Sequence, residues 1–260
     1  MNKKDYEQQI QEIVTKLSKE IDRNYSVKLP EITPIYENNE IINEKEVKKQ
    51  SKLLTKLIVT IWTANALLMS NANKEVLEVN FAYYGSIKER IGLPVFTRQE
   101  INKMIDSVVK KRSDVVKIKQ VIQGNANSLN NRMQNKVKEL YQNGATKKDI
   151  QKMLKKEFEV NSSKAKTIAT TEVNYYKSEA QLKATEGLPI KKIWRHRRAR
   201  EPRETHLNAH GQEVIGHDAL FQVGEYKTIA PQHFGIASED INCHCEIDVI
   251  VLDKVNIKVE

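Results

Sequence analysis

The sequence has few of the residues that cross-link or punctuate a chain. Only two cysteines occur, Cys243 and Cys245, a single residue apart. They are poorly placed to bridge to each other and have no other partner, so a disulfide framework is excluded and a reducing cytoplasm fits. Nine glycines and six prolines in 260 residues are too few for a turn-rich all-β fold. With 30% charged and 39% hydrophobic residues, the composition favours long solvated helices around a sizeable core. No apolar run approaches the roughly 18–20 residues that span a bilayer. The best, Leu53 to Met69, is broken by Thr55, Lys56, Thr60, Thr63 and Asn65, so no membrane partner is expected. The first residues, Met1-Asn-Lys-Lys-Asp-Tyr-Glu, are charged and are read as no signal peptide. A Gly-rich phosphate loop, His-Glu-x-x-His and a carboxylate pair fixed by spacing are all missing, which removes most enzyme classes.

What is present is positive charge. The formal net charge is +9 and the pI is near 9.3. Such a surplus attracts polyanions by Coulomb force and counterion release, so nucleic acid is a reasonable partner beside the plainer reading of a basic soluble protein. The chemistry-bearing residues are unevenly placed. All six histidines (His196, His206, His210, His217, His233, His244), both cysteines and four of the nine glycines follow residue 190. The chain before that point reads as successive helices, and the chain after it as short strands and loops.

Residues 4–22 carry Ile10, Ile13, Val14, Leu17 and Ile21 at helical spacing. Pro30 and Pro34 predict an extended linker. A long helix is expected from about Asn43 to Ala72, apolar on most sides around Leu53-Leu54 and Ile61-Trp62, with Trp62 in the core. Tyr83-Tyr84-Gly85 and Gly92-Leu93-Pro94 read as punctuation. Thr97-Arg-Gln-Glu100 is a capping box that opens a helix through Ile101, Met104, Ile105 and Val108. Gly124 to Asn127 reads as a turn, Ser128 as the start of a helix through Met133, Val137, Leu140 and Tyr141, and Asn143-Gly144 as its stop. Thr146-Lys-Lys-Asp149 caps a helix facing Ile150, Met153, Leu154 and Phe158 inward. Asn161-Ser162-Ser163 is read as the cap of another, from about Lys164 to Thr185. The last two imitate a helix-turn-helix, but the second has few side chains able to make bidentate base contacts, so a plain helical hairpin is favoured.

From residue 164 onward an ordered series of blocks appears. Ile168-Ala-Thr-Thr-Glu172 lies in a helix that Gly187 ends, and the strand Ile190-Lys-Lys-Ile-Trp194 follows. His206 stands twelve residues after Trp194, and Gly211-Gln212 five after that. Ala219-Leu-Phe-Gln-Val223, Ala230-Pro231 and Ile241-Asn242-Cys243-His-Cys245 lead to a last strand, Ile247 to Val251. This series resembles the Mu F-like phage minor head family over residues 164–251, with Glu172, Trp194, His206, Gly211, Asn242, Cys243 and Cys245 as the matching motif residues. The chain departs from the family pattern at Thr170 and His244, where the family has Arg. It departs again at Ala199 and His210, where the family has Asp, and at Glu201, where an Arg is expected; Arg203 matches.

Two constellations are candidate sites. His206, His210, Cys243 and Cys245 offer the imidazole and thiolate ligands of a tetrahedral structural zinc. Against this stands the tight Cys-x-Cys spacing, which needs an unusual turn; the other reading is two small buried hydrophobes and hydrogen-bonding histidines. A cysteine nucleophile beside a histidine is a third arrangement. The run Lys191-Lys192-Ile-Trp-Arg195-His-Arg197-Arg198-Ala-Arg200-Glu-Pro-Arg203 has seven Lys or Arg and one Glu in thirteen residues. It suits phosphate contact with double-stranded DNA without sequence preference, or equally a solvated loop or one paired to acidic groups.

The fold class expected is α+β: a predominantly helical N-terminal region, 1–160, that docks to a partner, then a small C-terminal α+β domain with a short sheet within 161–260. The resemblance implies a minor capsid protein acting in head morphogenesis near the portal, inside the virion and in the host cytoplasm during assembly. Its implied partners are portal, scaffold or major capsid protein, together with packaged DNA. It implies no enzyme and no required cofactor. The alternatives are a metal-dependent nuclease acting on phage DNA and a helix-turn-helix regulator.

Overall fold

The computed structural model describes residues 1–31, 36–37, 40–41, 43–115, 118–197 and 202–252. Five helices come first: α1 (Lys3–Tyr25), α2 (Glu44–Arg90), α3 (Arg98–Val115), α4 (Ile118–Gln142) and α5 (Lys147–Ala184). A two-stranded ribbon, β1 (Tyr36–Glu37) with β2 (Glu40–Ile41), precedes α2. After α5 come β3 (Ile190–Arg195), α6 (Glu204–Asn208), β4 (Glu213–Ile215), β5 (Phe221–Val223), β6 (Tyr226–Thr228), α7 (Ala237–Asp240) and β7 (Glu246–Val251). The architecture is α+β, a long helical part followed by a region with a small antiparallel sheet. The chain divides into two compact units: Met1–Lys16, Asn71–Val115 and Thr167–Glu260 form one, and Leu17–Ser70 with Val116–Lys166 the other. The sequence boundary at 160/161 falls inside α5.

Among the described residues, the regular elements of the unit Leu17–Ser70 and Val116–Lys166 are helices and the ribbon. Leu54, Ile58, Ile61 and Trp62 recur on one face of α2 and are buried with Leu129, Met133 and Val137 of α4 and Ile150, Leu154 and Phe158 of α5. Tyr25 sets its ring edge-on to both Trp62 and Phe158, at 6.4 and 6.0 Å between centroids. Such pairs add to area burial because ring edges carry the opposite partial charge to ring faces. Glu157 of α5 meets Arg132 at 2.8 Å and Lys136 at 2.6 Å, both on α4. The capping signals behave as read. Thr97 and Glu100 satisfy each other reciprocally at the start of α3, and Thr146 and Asp149 do so at the start of α5.

Four readings need correction. First, α2 does not stop near Ala72 but continues through Tyr83-Tyr84-Gly85 to Arg90. A Cβ at Gly85 would meet Val95 Cγ1 at 3.5 Å, an ordinary van der Waals contact, so the helix passes through this glycine without strain. Second, Gly124 to Asn127 lies inside α4, where Ala126 and Leu129 are buried and reward the helical path. Third, Asn161-Ser162-Ser163 caps nothing and lies inside α5. Asn161 donates to the Glu157 carbonyl at 2.7 Å, Ser163 to that of Glu159 at 3.3 Å, and Ser162 to Asp22 at 2.7 Å. Polar side chains satisfied this way sit inside a helix without ending it. Hairpin and helix-turn-helix therefore both give way to one continuous helix. Fourth, α2 holds an 18-residue window of mean hydropathy 1.5, long and apolar enough for a bilayer by length and composition, because its threonines scarcely lower the average. The one-sided burial of Leu54, Ile58, Ile61 and Trp62 is that of a packed helix. Pro34 and Tyr141 fall where the structure describes no side chain.

In the other unit, β3 is the middle strand of the order β4-β3-β7, with Ile190 opposite Val251 and Trp194 opposite Ile247. Ile190, Lys192 and Trp194 share one face by the strand's two-residue period and are all fully buried. Phe221 of the β5-β6 hairpin packs against Trp194 at 5.3 Å.

Because Gly124 is helical and a Cβ there would meet nothing within 4 Å, Gly124→Ala should stabilise the protein by about 0.5–1 kcal/mol. A raised thermal midpoint checks this, whereas a turn needing glycine at that position would give a lowered one.

Candidate functional site

The site grows from one side of α5. Thr171 Oγ1 accepts the backbone N–H of Asn242 at 3.1 Å, and Asn174 donates to the Cys243 carbonyl at 3.1 Å. Gln232 adds hydrogen bonds to the carbonyls of Cys243 at 2.9 Å and Cys245 at 3.3 Å. Asn242 adopts φ +58°, a left-handed conformation that asparagine tolerates better than most residues. This left-handed residue leads into Cys243, and the sulfurs of Cys243 and Cys245 lie on one side.

His206, on α6, meets them there. Its Nδ1 lies 3.4 Å from Cys243 Sγ and 3.6 Å from Cys245 Sγ, and its Nε2 lies 2.9 Å from Glu239 Oε2 of α7. All three residues are about 2% exposed. The His206 ring stacks on Phe234, with centroids 5.5 Å apart, and meets Trp194 edge-on at 5.9 Å. Burial alone would lower the His206 pKa, but the Cys243 sulfur and the Glu239 carboxylate outweigh it and raise it. The neighbouring Cys245 side chain pushes Cys243 down against the effect of burial, with His206 helping, while Cys243 and burial together push Cys245 up.

His210 stays outside this cluster. It lies beyond the end of α6, and its Nδ1 accepts the backbone N–H of His196 at 3.1 Å. The other family-motif residues frame the cluster. Gly211, at φ +84°, donates its N–H to the Trp194 carbonyl at 2.8 Å. Glu172 makes a two-pronged pair with Arg112 of α3, at 2.5 and 3.1 Å, with both side chains nearly buried.

Each described cation of the basic run has a partner in the protein. Lys192 is fully buried and its ammonium donates to the carbonyls of His217, Ala219 and Ile229 at 2.8, 2.7 and 3.1 Å. Burial pushes its pKa down to about 8. A group so enclosed reaches no phosphate, so Lys192 leaves the candidate DNA-binding set. Arg195 pairs with Asp248 at 2.8 Å, Arg197 with Glu246 and with Glu7, and Lys191 with Glu213 at 3.1 Å. Arg203 donates to the Ile241 carbonyl at 2.7 Å. Arg198 and Arg200, with Ala199 and Glu201, lie outside the described residues.

Several functional partners escaped the sequence reading: Arg112, Glu239, Gln232, Glu179 and His233. Spacing could not find them, because each pairs with a residue more than 10 positions away. Glu179 bonds to Lys111 at 2.6 Å and to His233 Nε2 at 2.9 Å, and the His233 ring stacks on Tyr175 with centroids 4.5 Å apart.

One stretch of the chain is similar to a known family. Residues 131–248 match the family described as Phage Mu protein F like protein. The similarity lies in the C-terminal region and covers less than half of the chain. The match reaches back past residue 164 into α4 and the first half of α5, which carry ordinary helical patterning and no distinctive motif. The chain is also similar to the uncharacterized protein YqbB of Bacillus subtilis (strain 168), 26% identical over 228 residues, 80% of this chain and 71% of that protein. It is similar over a shorter stretch to the NAD(+)–arginine ADP-ribosyltransferase EFV of Enterococcus faecalis (strain ATCC 700802 / V583). That match is 33% identical over 107 residues, 39% of this chain and 22% of that protein. No solved structure matches.

The buried Glu179 gives the matched region an acid-sensitive tie. Burial opposes its charge, but hydrogen bonds from His233 and Lys111 prevail and hold its carboxyl at about 2. The folded value lies below the unfolded one, about 4.3. Stability from this group is thus present above that pH and is lost as pH falls through the folded value. Glu179→Gln should lower stability at pH 7 and flatten the loss between pH 4.3 and 2, read from urea midpoints across an acid series.

Proposed function

We propose that the chain is a structural component of phage head morphogenesis, a minor capsid protein of the virion rather than a catalyst. The observation that carries this reading is the family match over residues 131–248, whose motif residues converge on one buried cluster in the order the family has them. In this reading the protein sits near the portal, inside the head, and passes through the host cytoplasm during assembly.

The helical region docks to a head protein: portal, scaffold or major capsid protein. Support comes from α2, where no charged residue occurs from Leu57 to Ser70 although the chain is 30% charged, and where Leu67 is 64% exposed. A charge-depleted exposed stretch is what a protein interface uses at its centre. Mass spectrometry of purified particles from the parent phage should find the chain in stoichiometric, low copy number. Leu67→Asp, folded by circular dichroism, should be depleted from those particles. Particles lacking the wild-type chain would refute the assignment.

DNA contact is the second half of the reading. With the run at Lys191–Arg203 largely paired internally, the better-placed cations are Lys148, Lys152 and Lys155 on α5. These are exposed and line a cleft of ≈ 880 Å³ together with Lys166. Ammonium groups on an open face reach phosphate oxygens, which are the same for every sequence. Replacing all three lysines by alanine should weaken binding to two unrelated duplexes alike. It should also flatten the log-affinity versus log-salt slope by about 0.9 for each phosphate that is no longer neutralised. Arg195→Ala with Arg197→Ala should leave the slope unchanged. An unaltered slope in the lysine variant, measured by fluorescence anisotropy, would remove this face from DNA binding.

A further inference from the structure

We propose that His206, Cys243 and Cys245 form a zinc site, with His206 Nδ1 and the two sulfurs as its protein ligands. The three ligand atoms lie within 4.8 Å of one another. Zinc–sulfur and zinc–nitrogen bonds of about 2.3 and 2.05 Å at a tetrahedral angle put sulfur and nitrogen about 3.6 Å apart. The separations here are 3.4 and 3.6 Å, so His206 Nδ1 already stands at ligand spacing from both sulfurs.

The surroundings are built as a metal site's surroundings are. Glu239 holds Nε2 of His206 at 2.9 Å, which fixes the ring and leaves Nδ1 facing the sulfurs. A carboxylate behind a ligating histidine has that orienting effect and makes the ring a better donor. Gln232 and Asn174 pin the carbonyls of the cysteine turn, so the sulfurs are placed before any ion arrives. The buried indole N–H of Trp194, whose ring meets His206 edge-on, has no hydrogen-bond partner among the described residues.

Charge closes the argument. Two thiolates, a neutral imidazole and Zn²⁺ sum to zero, which an interior of low dielectric tolerates far better than bare thiolates. One tetrahedral position is left for a neutral fourth donor, for which water suffices. A cysteine nucleophile using the same Cys–His–Glu contacts would need a substrate to reach a sulfur, and both cysteines are about 2% exposed. Zinc binding does not depend on the assignment to head assembly and can fail without it.

The test uses the full chain, purified with zinc and then desalted. Elemental analysis should give about one zinc per chain. Substitution with Co²⁺ should show the thiolate-to-cobalt charge-transfer band and the visible bands of a tetrahedral site. Cys243→Ser and Cys245→Ser should each abolish that band. His210→Ala should keep full occupancy, because His210 lies outside the cluster. Glu239→Gln tests the site should the cysteine variants fail to fold: it keeps all three ligands and should weaken zinc affinity about 10–100-fold. Wild-type chain that takes up neither ion, or a cobalt spectrum without thiolate character, overturns the proposal.

Discussion

The buried carbonyls of Cys243 and Cys245 constrain the whole C-terminal unit. They precede β7 and have no ladder partner, and an unmet buried carbonyl costs on the order of 1–3 kcal/mol. Gln232 and Asn174 supply the missing donors, and Thr171 anchors the adjoining Asn242 N–H. Each must then be held in place. Thr171 and Asn174 are fixed because α5 is fixed, through Glu172 to Arg112 and Glu179 to Lys111 on α3. Gln232 sits at φ +62° in the loop whose next residue, His233, is tied to Glu179. Helix, loop and terminal strand thus depend on one another through polar contacts that burial makes expensive to break.

The same logic explains the basic run. A cluster of cations in sequence reads as a surface because nothing local pairs with it. In the fold, β3 alternates sides, so Lys192 turns into the interior where loop carbonyls converge. Arg195 turns the other way, to Asp248 on the neighbouring strand. The partners lie 25 to 53 residues away along the chain. The charge density was legible and its destination was not, because strand pairing decides which acceptor each cation meets.

Legibility follows the range of the interaction. The capping boxes at Thr97 and Thr146 close within four residues, and the reading of both was right. The α+β class and the clustering of His206 with both cysteines followed from composition shift and motif order, which report where chemistry is concentrated. The failures share a cause. Gly124 and Asn161-Ser162-Ser163 look like breaks because glycine, asparagine and serine favour ends and turns on their own. Buried Leu129 and Ala126, and the contact from Ser162 to Asp22, pull those segments into helix anyway. Tertiary packing overrides a propensity worth about 1 kcal/mol or less per residue.

The departures from the family pattern sort by depth in the same way. Position 210, where the family has Asp, here accepts a backbone N–H through His210 Nδ1, a role either side chain can fill. Position 244, Arg in the family, holds a histidine whose only described bond is to neighbouring Asn242, at 3.3 Å. Glu172, Trp194, His206, Gly211, Asn242, Cys243 and Cys245 are all present, and each contacts the buried cluster or the helix that carries it. A rim histidine can replace an aspartate or an arginine because water satisfies what the new side chain does not. Inside, Thr171, Asn174, Gln232 and Glu172 each hold a specific partner, so exchanging one of these residues strands another group.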